Sequence, residues 1–427
     1  MATFVKLNGR WIKAQEDDGD FDKYSMNFDP ATFSSGKNLS YADKLVGLTP
    51  LDNSATTGTA NSSMAWGSWQ YLEKNPILKD CYYSIIHGDG TEIKLDPYDL
   101  TKGLDGTDYS TEITQENVMF NIPTRYINRT ASGVSHSRNP ANGVPLAHTV
   151  DGKVYPYLAI GVYPSVNVSN VAKSVAGVKP SGNITRANFR SYSKANGSPS
   201  NGEWMQWNFH HYQLMRDMVL MASLDWDSQT RIGRGNLSGN NNNNWSVNGL
   251  YNKLGLFVGS QSTGAGYAVK SLIENMWGTC WQFIDDLYTG DEYAEDGYIW
   301  KDIYAGQNST PTDDTSNKTV VGKMCIGPNT GNIASGWKYG ASIGTTNAGW
   351  GLPIGQGGST GSYTFDGYYT KAVTVSGGTP TVTDAHNFLV GGHSDTAAHA
   401  GLSALFVSSA LTYAYWNVGS RLAFAHE

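Results

Sequence analysis

The residues of this 427-residue chain that could do covalent chemistry are few and badly placed for it. Cys81, Cys280 and Cys325 are unevenly spaced, and none stands near a histidine in a ligand pattern, so neither structural zinc nor a disulfide framework is expected. Cys280, between Trp277 and Trp281, reads as a small buried filler. So few cysteines suit synthesis in a reducing cytoplasm. His210 and His211 adjoin one another inside an apolar periodic segment with no partner, and read as partly buried helix histidines rather than ligands or bases. Asp285-Asp286 follows an aromatic run and is open between solvent and an ion pair. Nowhere does the sequence place a nucleophile with a base, so hydrolytic or oxidase-type activity is not expected.

What remains must be positioned by the elements, and the composition says what kind. Only 16% of residues are charged, while glycine (49), tyrosine (25) and tryptophan (13) are abundant, which suits many short strands and loops in two or three domains. The formal charge is −7 and the basic residues are scattered, so no nucleic-acid footprint exists. Apolar runs such as "LMRDMVLMASL" are broken by charge and too short to span a bilayer, so no membrane insertion is expected. The start, "MATFVKLNGRWIKAQEDDGD", has no signal-peptide pattern, and any export is expected to use another route.

Along the chain, residues 1–66 open on the alternating "TFVKLNGRWIKA" and then turn polar; they are expected to form an extended docking arm with too little apolar surface to fold alone. "CYYSIIHGDGTEIKL" predicts a hairpin about Asp89-Gly90, and "ENVMFNIPTRYINR" a strand with Pro123 at an edge. One helix is predicted from Met205 to Leu224, with Phe209, Tyr212, Met215, Met218, Val219 and Ala222 covering one face. Five asparagines at 240–244 predict a surface loop, and glycine- and threonine-rich loops fill 305–386. Near the end, "YWNVGSRLAF" alternates, with Val418, Ser420 and Leu422 opposite Gly419, Arg421 and Ala423, and predicts a buried strand that closes a sheet.

The block order "VYPYLAIGVYPS", "NITRANFRSYSKANG", "DWDSQTRIGRGN", "IENMWGTCWQFIDD" and "AGLSALF…NVGSRLAF" resembles phage tail-tip and tail-fibre proteins with a C-type lectin fold, many of them variable proteins of diversity-generating retroelements. The upstream "GDGTEIKLDPYDL…ENVMFNIPTRYI" resembles the β-rich module preceding that domain. The resemblance covers about 70–427. It implies a β-rich α+β protein: an N-terminal arm (1–66), a β-rich intermediate module (67–153) and a C-type lectin-like domain (154–427) with a variable segment at 393–417.

It further implies a non-enzymatic, host-recognition protein of a virion tail, made in the host cytoplasm, which binds a protein or glycan receptor on the host surface. Other tail or baseplate proteins would hold its N-terminal region, and a homotrimer is expected. The alternative is a virion structural or decoration protein whose lectin-like domain packs against neighbouring subunits. The same superfamily holds formylglycine-generating enzymes, but the positions matching their two reactive cysteines fall near Thr396 and Gly401, where no thiolate can form. The Glu-Pro-Asn and Gln-Pro-Asp motifs of sugar-binding lectins do not occur. Calcium sites occur in the family, which adds calcium as a third reading for Asp285-Asp286; no ligand pattern for one is legible, and no cofactor is expected.

In the variable segment, Gly391, Gly392, Gly401 and Gly419 are expected at turns and close contacts, and Leu402, Leu405, Phe406, Leu422 and Phe424 in the core. Between them, Tyr413, Tyr415 and Trp416 would be amphipathic anchors, with His393, Asp395, Thr396, His399 and Asn417 supplying directional polar contacts. A packing role for the tyrosines, against "GWGLPIGQGG" (349–358), stands beside this. From 393 to 417 the segment has no Lys, Glu, Gln or Met, and Trp only at 416, which is compatible with adenine-directed diversification.

Overall fold

The computed structural model describes residues 4–7, 10–13, 23–29, 39–53, 62–63, 67–315, 318–356, 368–381 and 386–427. Most of the expected arm, and the end of the "GWGLPIGQGG" segment, lie outside them. The chain is β-rich with few helices, and no helix among the described residues is long and apolar enough to cross a membrane.

A six-stranded antiparallel sheet carries, in order, Gly202–Gln206, Leu422–His426, Tyr157–Gly161, Asn117–Pro123, Tyr82–Ile86 and Glu92–Leu95. The predicted hairpin is here: Tyr82–Ile86 turns into Glu92–Leu95 through Gly90, whose φ of 84° suits a residue without Cβ. Asn117–Pro123 is an interior strand rather than an edge, and Pro123 is tolerated because it stands at the strand's end. A four-stranded sheet pairs Leu39–Asp43, Tyr24–Phe28, Gly133–Ser137 and Tyr126–Thr130. Tyr24, Met26, Phe28, Leu45 and Leu51 are buried in the same core cluster as Phe120, Leu158 and Met218. Both sheets and the core therefore run across the boundaries expected at 66 and 153.

The helix Phe209–Ser223 starts later than the periodicity predicts, because Met205 belongs to the strand Gly202–Gln206. Asn208 sets the start: its Oδ1 accepts from the backbone N–H groups of His210 and His211, and Nδ1 of His211 accepts from the Asn208 N–H. This reciprocal cap satisfies donors that a helix end otherwise leaves open. Replacing Asn208 by Ala is expected to cost about 1 kcal/mol, read as a shift in the denaturant midpoint. The helix is buried on every side, not on one face. Its charged members are matched in the interior: Asp217 accepts from Arg129 at 2.7 Å with His136 at 3.5 Å, and Arg216 donates to the carbonyl of Trp350. Burial pulls the Asp217 carboxyl up, but Arg129 and His136 outweigh it and hold it low.

His210 and His211 are fully inside, not partly buried. Burial pushes His210 down to about 4 and His148 down to about 3, so both are neutral in the folded chain at pH 7. Their folded values lie below the unfolded histidine value of about 6.5. The unfolded chain therefore binds more protons in that window, and stability is lost as pH falls from about 6.5 towards 4. A melting temperature flat across that window would contradict it.

A helix that the periodicity does not predict, Arg186–Lys194, is capped by Thr185, whose side chain accepts from the Asn188 N–H. It buries Arg186, Phe189, Arg190 and Ser193, a helical stripe in which arginine replaces apolar residues. Arg190 grips the Asp285 carboxylate with two hydrogen bonds of 2.8 and 2.6 Å, and both arginines reach Asp313. Asp286 pairs with Lys318 at 3.2 Å and accepts from the Asn308 N–H. Of the three readings open for Asp285-Asp286, the ion pair is the one that these oxygens make.

The third layer is an eight-stranded sheet built on the long strand Trp281–Glu295, with Tyr298–Ala305 and Thr319–Pro328 on one side. On the other lie His386–Val390, Leu405–Ala410, Tyr368–Thr370 and Gly336–Lys338. The "NVGSRLAF" segment divides between sheets instead of forming one alternating strand. Val418–Gly419 runs parallel to Trp281-Gln282, and Leu422–His426 enters the six-stranded sheet between two neighbours, with every residue of the strand buried on both faces. Arg421 stands at the crossing, fully buried. Its guanidinium donates to Gln282, to the carbonyls of Gly161 and Val162, and to those of Glu274 and Asn275.

Candidate functional site

On the eight-stranded sheet, register places four side chains side by side from four strands that are distant in sequence. Trp337 is opposite Tyr369, Tyr369 opposite Phe406, and Phe406 opposite Leu389. Residues in register share a face, so the four make one row. Tyr369 and Phe406 lie parallel with centroids 4.8 Å apart, and Trp337 meets Tyr369 edge-on at 5.5 Å. Trp281 extends the row, 5.7 Å from Phe406 and 6.4 Å from Trp337. This row lines a cavity of about 310 Å³.

Two loops supply the rest of the lining. The 391–404 connection brings His393, Asp395, Thr396 and His399, and the 411–417 connection brings Tyr413 and Asn417. Both leave from strands of the row. The first begins with Gly391 and Gly392 at φ 87° and 83°, and a Cβ on Gly391 would stand 2.2 Å from the Met276 carbonyl oxygen, so only glycine makes that turn.

Internal bonds hold the loops. The Thr396 hydroxyl oxygen accepts from the His393 N–H at 2.9 Å, and Nδ1 of His393 accepts from the Asp395 N–H at 3.2 Å. Gln229 donates to the carbonyls of Ala397 and Ala400, and the Tyr212 hydroxyl to that of Leu402. At the far end the Asn417 carbonyl accepts from Trp281 N–H, and that of Tyr415 from Asn183 N–H. A site tied down in this way spends little ordering entropy when a ligand arrives.

His399 stacks on Trp337 at 4.3 Å with 12° between planes, and its Nδ1 is 3.0 Å from the Tyr339 hydroxyl. Burial pushes His393 down to about 4, opposed by Asp395, and lowers His399 as well. Both imidazoles are therefore neutral at pH 7. Burial also raises the Tyr413 phenol, with Tyr415 adding to it.

Of the residues expected to meet a ligand, His393, Asp395, Thr396, His399, Tyr413 and Asn417 come together on the cavity. Tyr415 and Trp416 do not line it. Tyr415 stands in solvent, and Trp416 packs edge-on against His393 at 5.5 Å, behind the lining. Trp350 of "GWGLPIGQGG" stacks on Trp226, and Tyr413 packs against the buried cluster of Phe189, Trp281 and Phe283. Phe406, expected in the core, is half-buried and lines the cavity. Trp281, Trp337, Tyr369 and Leu389 are the lining residues that the sequence reading missed.

Cys81, Cys280 and Cys325 are all buried, and burial pushes Cys280 up to about 12 and Cys325 up to about 11. Among the described residues no group of three or more His, Cys, Asp or Glu is placed to hold a metal ion.

No protein-family model matches the chain, and no curated protein matches it. Solved structures to which it is similar include the Major Tropism Determinant M1 variant (13% identity, TM-score 0.29) and U1 variant (12%, 0.27), each aligned over 81% of this chain and 72% of that one. The I1 variant aligns over the same shares at 11% identity and a TM-score of 0.28. At such TM-scores the likeness transfers neither fold nor function.

Proposed function

We propose that this chain is a non-enzymatic receptor-binding protein of a phage tail, which uses the cavity on its eight-stranded sheet to hold a host-surface ligand. The observation that carries the reading is the row Trp337–Tyr369–Phe406–Leu389 roofed by hydrogen-bonded loops. Large rigid rings offer contact area with few rotors to freeze, and the polar groups around them supply direction. The block order of the sequence supports a C-type-lectin-like scaffold for this face, with 393–417 as its changeable part. On this reading the N-terminal region docks on other tail proteins, the assembled form is a homotrimer, and the protein acts on the virion. Three faces on one particle would raise avidity by roughly 10²- to 10⁴-fold over one.

Labelled full-length protein incubated with a panel of bacterial strains tests the proposal. Saturable adhesion to a subset of strains, competed by the unlabelled protein, is expected. Adhesion to none, together with an assembled particle in which the cavity is covered by a neighbouring subunit, would overturn it in favour of a virion structural role.

A further inference from the structure

One imidazole fixes the part of the 391–404 connection that faces the cavity. His393 and Thr396 bond reciprocally across a tight turn: the Thr396 hydroxyl oxygen accepts from the His393 N–H at 2.9 Å, and the Thr396 N–H donates to the His393 carbonyl at 3.0 Å. Inside that turn the Asp395 N–H donates to Nδ1 of His393 at 3.2 Å. An imidazole nitrogen accepts a hydrogen bond only while it carries no proton, so the bond assigns the neutral tautomer with its hydrogen on Nε2. Ser394 is held on the other side, its N–H donating to the Thr279 carbonyl at 3.2 Å and its hydroxyl to the Gly239 carbonyl at 3.0 Å. The loop is thus anchored to the body at 394 while 393, 395 and 396 line the cavity.

The His393 ring lies 6.2 Å from Trp281 and edge-on to Trp416 at 5.5 Å. Asp395 is the charged group that acts on it and favours the protonated ring, but burial opposes this and prevails. The other titratable groups on the lining are His399, stacked on Trp337, and Tyr413.

We infer that His393 is a positioning residue whose neutral imidazole holds Asp395 and Thr396 on the cavity, so that acid frees this turn and loosens the ligand site. The inference takes from the proposed function only that the cavity is where the ligand binds. A proton on Nδ1 would set N–H against N–H, so the ring must leave and the Asp395 N–H loses its acceptor. Once free, the imidazole takes its proton near the ordinary value of about 6.5. The open turn then binds more protons than the closed one from about pH 6.5 down to about 4, and opening becomes easier throughout that window. Between pH 7 and pH 5 the opening constant should rise about 20-fold.

Residue-resolved hydrogen exchange of the full chain at pH 7 and pH 5, corrected for intrinsic rates, tests this without a ligand. Protection of the Asp395 and Thr396 amides is expected to fall about 20-fold in acid, while the Gly391 amide, which donates to the Ala404 carbonyl, keeps its own. His393→Asn puts Oδ1 in the place of Nδ1 and cannot take a proton, so its turn should be as protected at pH 5 as at pH 7. His393→Ala lacks the acceptor and should expose the Asp395 amide at both. Wild-type protection that does not change with pH, or an equal fall in His393→Asn, would overturn the inference. Nitrogen-15 NMR of the unaltered chain needs no variant: a bare Nδ1 on His393 at pH 7 is expected, and a protonated one would overturn it.

Adhesion of Trp337→Ala to host cells reports on the site separately. Adhesion lost there, with Asp395 protection flat in pH, keeps the site and removes this role for His393. Adhesion retained there, with protection falling in acid, keeps the role and removes the site.

Discussion

Replacing Arg421 by alanine is expected to destabilise the protein by about 3–5 kcal/mol, the scale of several buried acceptors left unsatisfied together with the cavity of a large side chain. The guanidinium meets four backbone carbonyls and Gln282 with no exposure to solvent, and its plane lies over the Trp207 ring at 5.3 Å. Those carbonyls belong to segments 161–162 and 274–275, and Gln282 to the strand Trp281–Glu295, so one side chain joins both large sheets where the chain crosses between them. Alanine would leave acceptors unsatisfied and a cavity beside Trp207. Lysine should not rescue it, because three donors on one nitrogen cannot reproduce the fork. Chemical denaturation monitored by tryptophan fluorescence gives the measurement, and a loss under about 1 kcal/mol would show that the crossing is held by something else.

The second large effect concerns binding rather than folding. Trp337→Ala is expected to weaken host adhesion by about 30-fold or more, the scale of a hot-spot tryptophan worth 2 kcal/mol or more. Trp337 is half-buried, stacks on His399 and ends the aromatic row, so its removal opens one wall of the cavity without excavating the core. The unfolding midpoint should move far less than in Arg421→Ala. Surface plasmon resonance against outer-surface extracts of a bound strain, with circular dichroism as the folding control, distinguishes the two variants. A Tyr415→Ala change, by contrast, should alter binding little, because that ring lies outside the cavity.

The contrast between Tyr415 and Trp337 also shows how much the sequence reveals. The hairpin at Asp89-Gly90 and the helix after Asn208 are legible because each is written in a local period of a few residues. Arg186–Lys194 escapes the same reading because its buried stripe carries arginines, which look solvent-facing until Asp285 and Asp313 are brought to them. The loop half of the cavity lies in one contiguous segment, so family resemblance could point to it. The sheet half could not be found that way: residues 337, 369, 389 and 406 become neighbours only through strand register, and nothing in their local patterns announces it. Sequence proximity puts Tyr415 and Trp416 on the face, whereas the turn before Val418 leaves one ring in solvent and sets the other edge-on against His393. The alternation in "NVGSRLAF" misleads for a related reason, since a strand covered on both faces has no polar side to alternate with.

Hydroxyl-radical footprinting of the full-length protein on cells of a strain that it binds tests most directly whether the cavity is the recognition site. Protection of Trp337, Tyr369, Tyr413 and His399 on the cells, relative to the free protein, is the predicted result. Unchanged oxidation at those four side chains, with protection instead at exposed rings outside the cavity such as Tyr298, would contradict it.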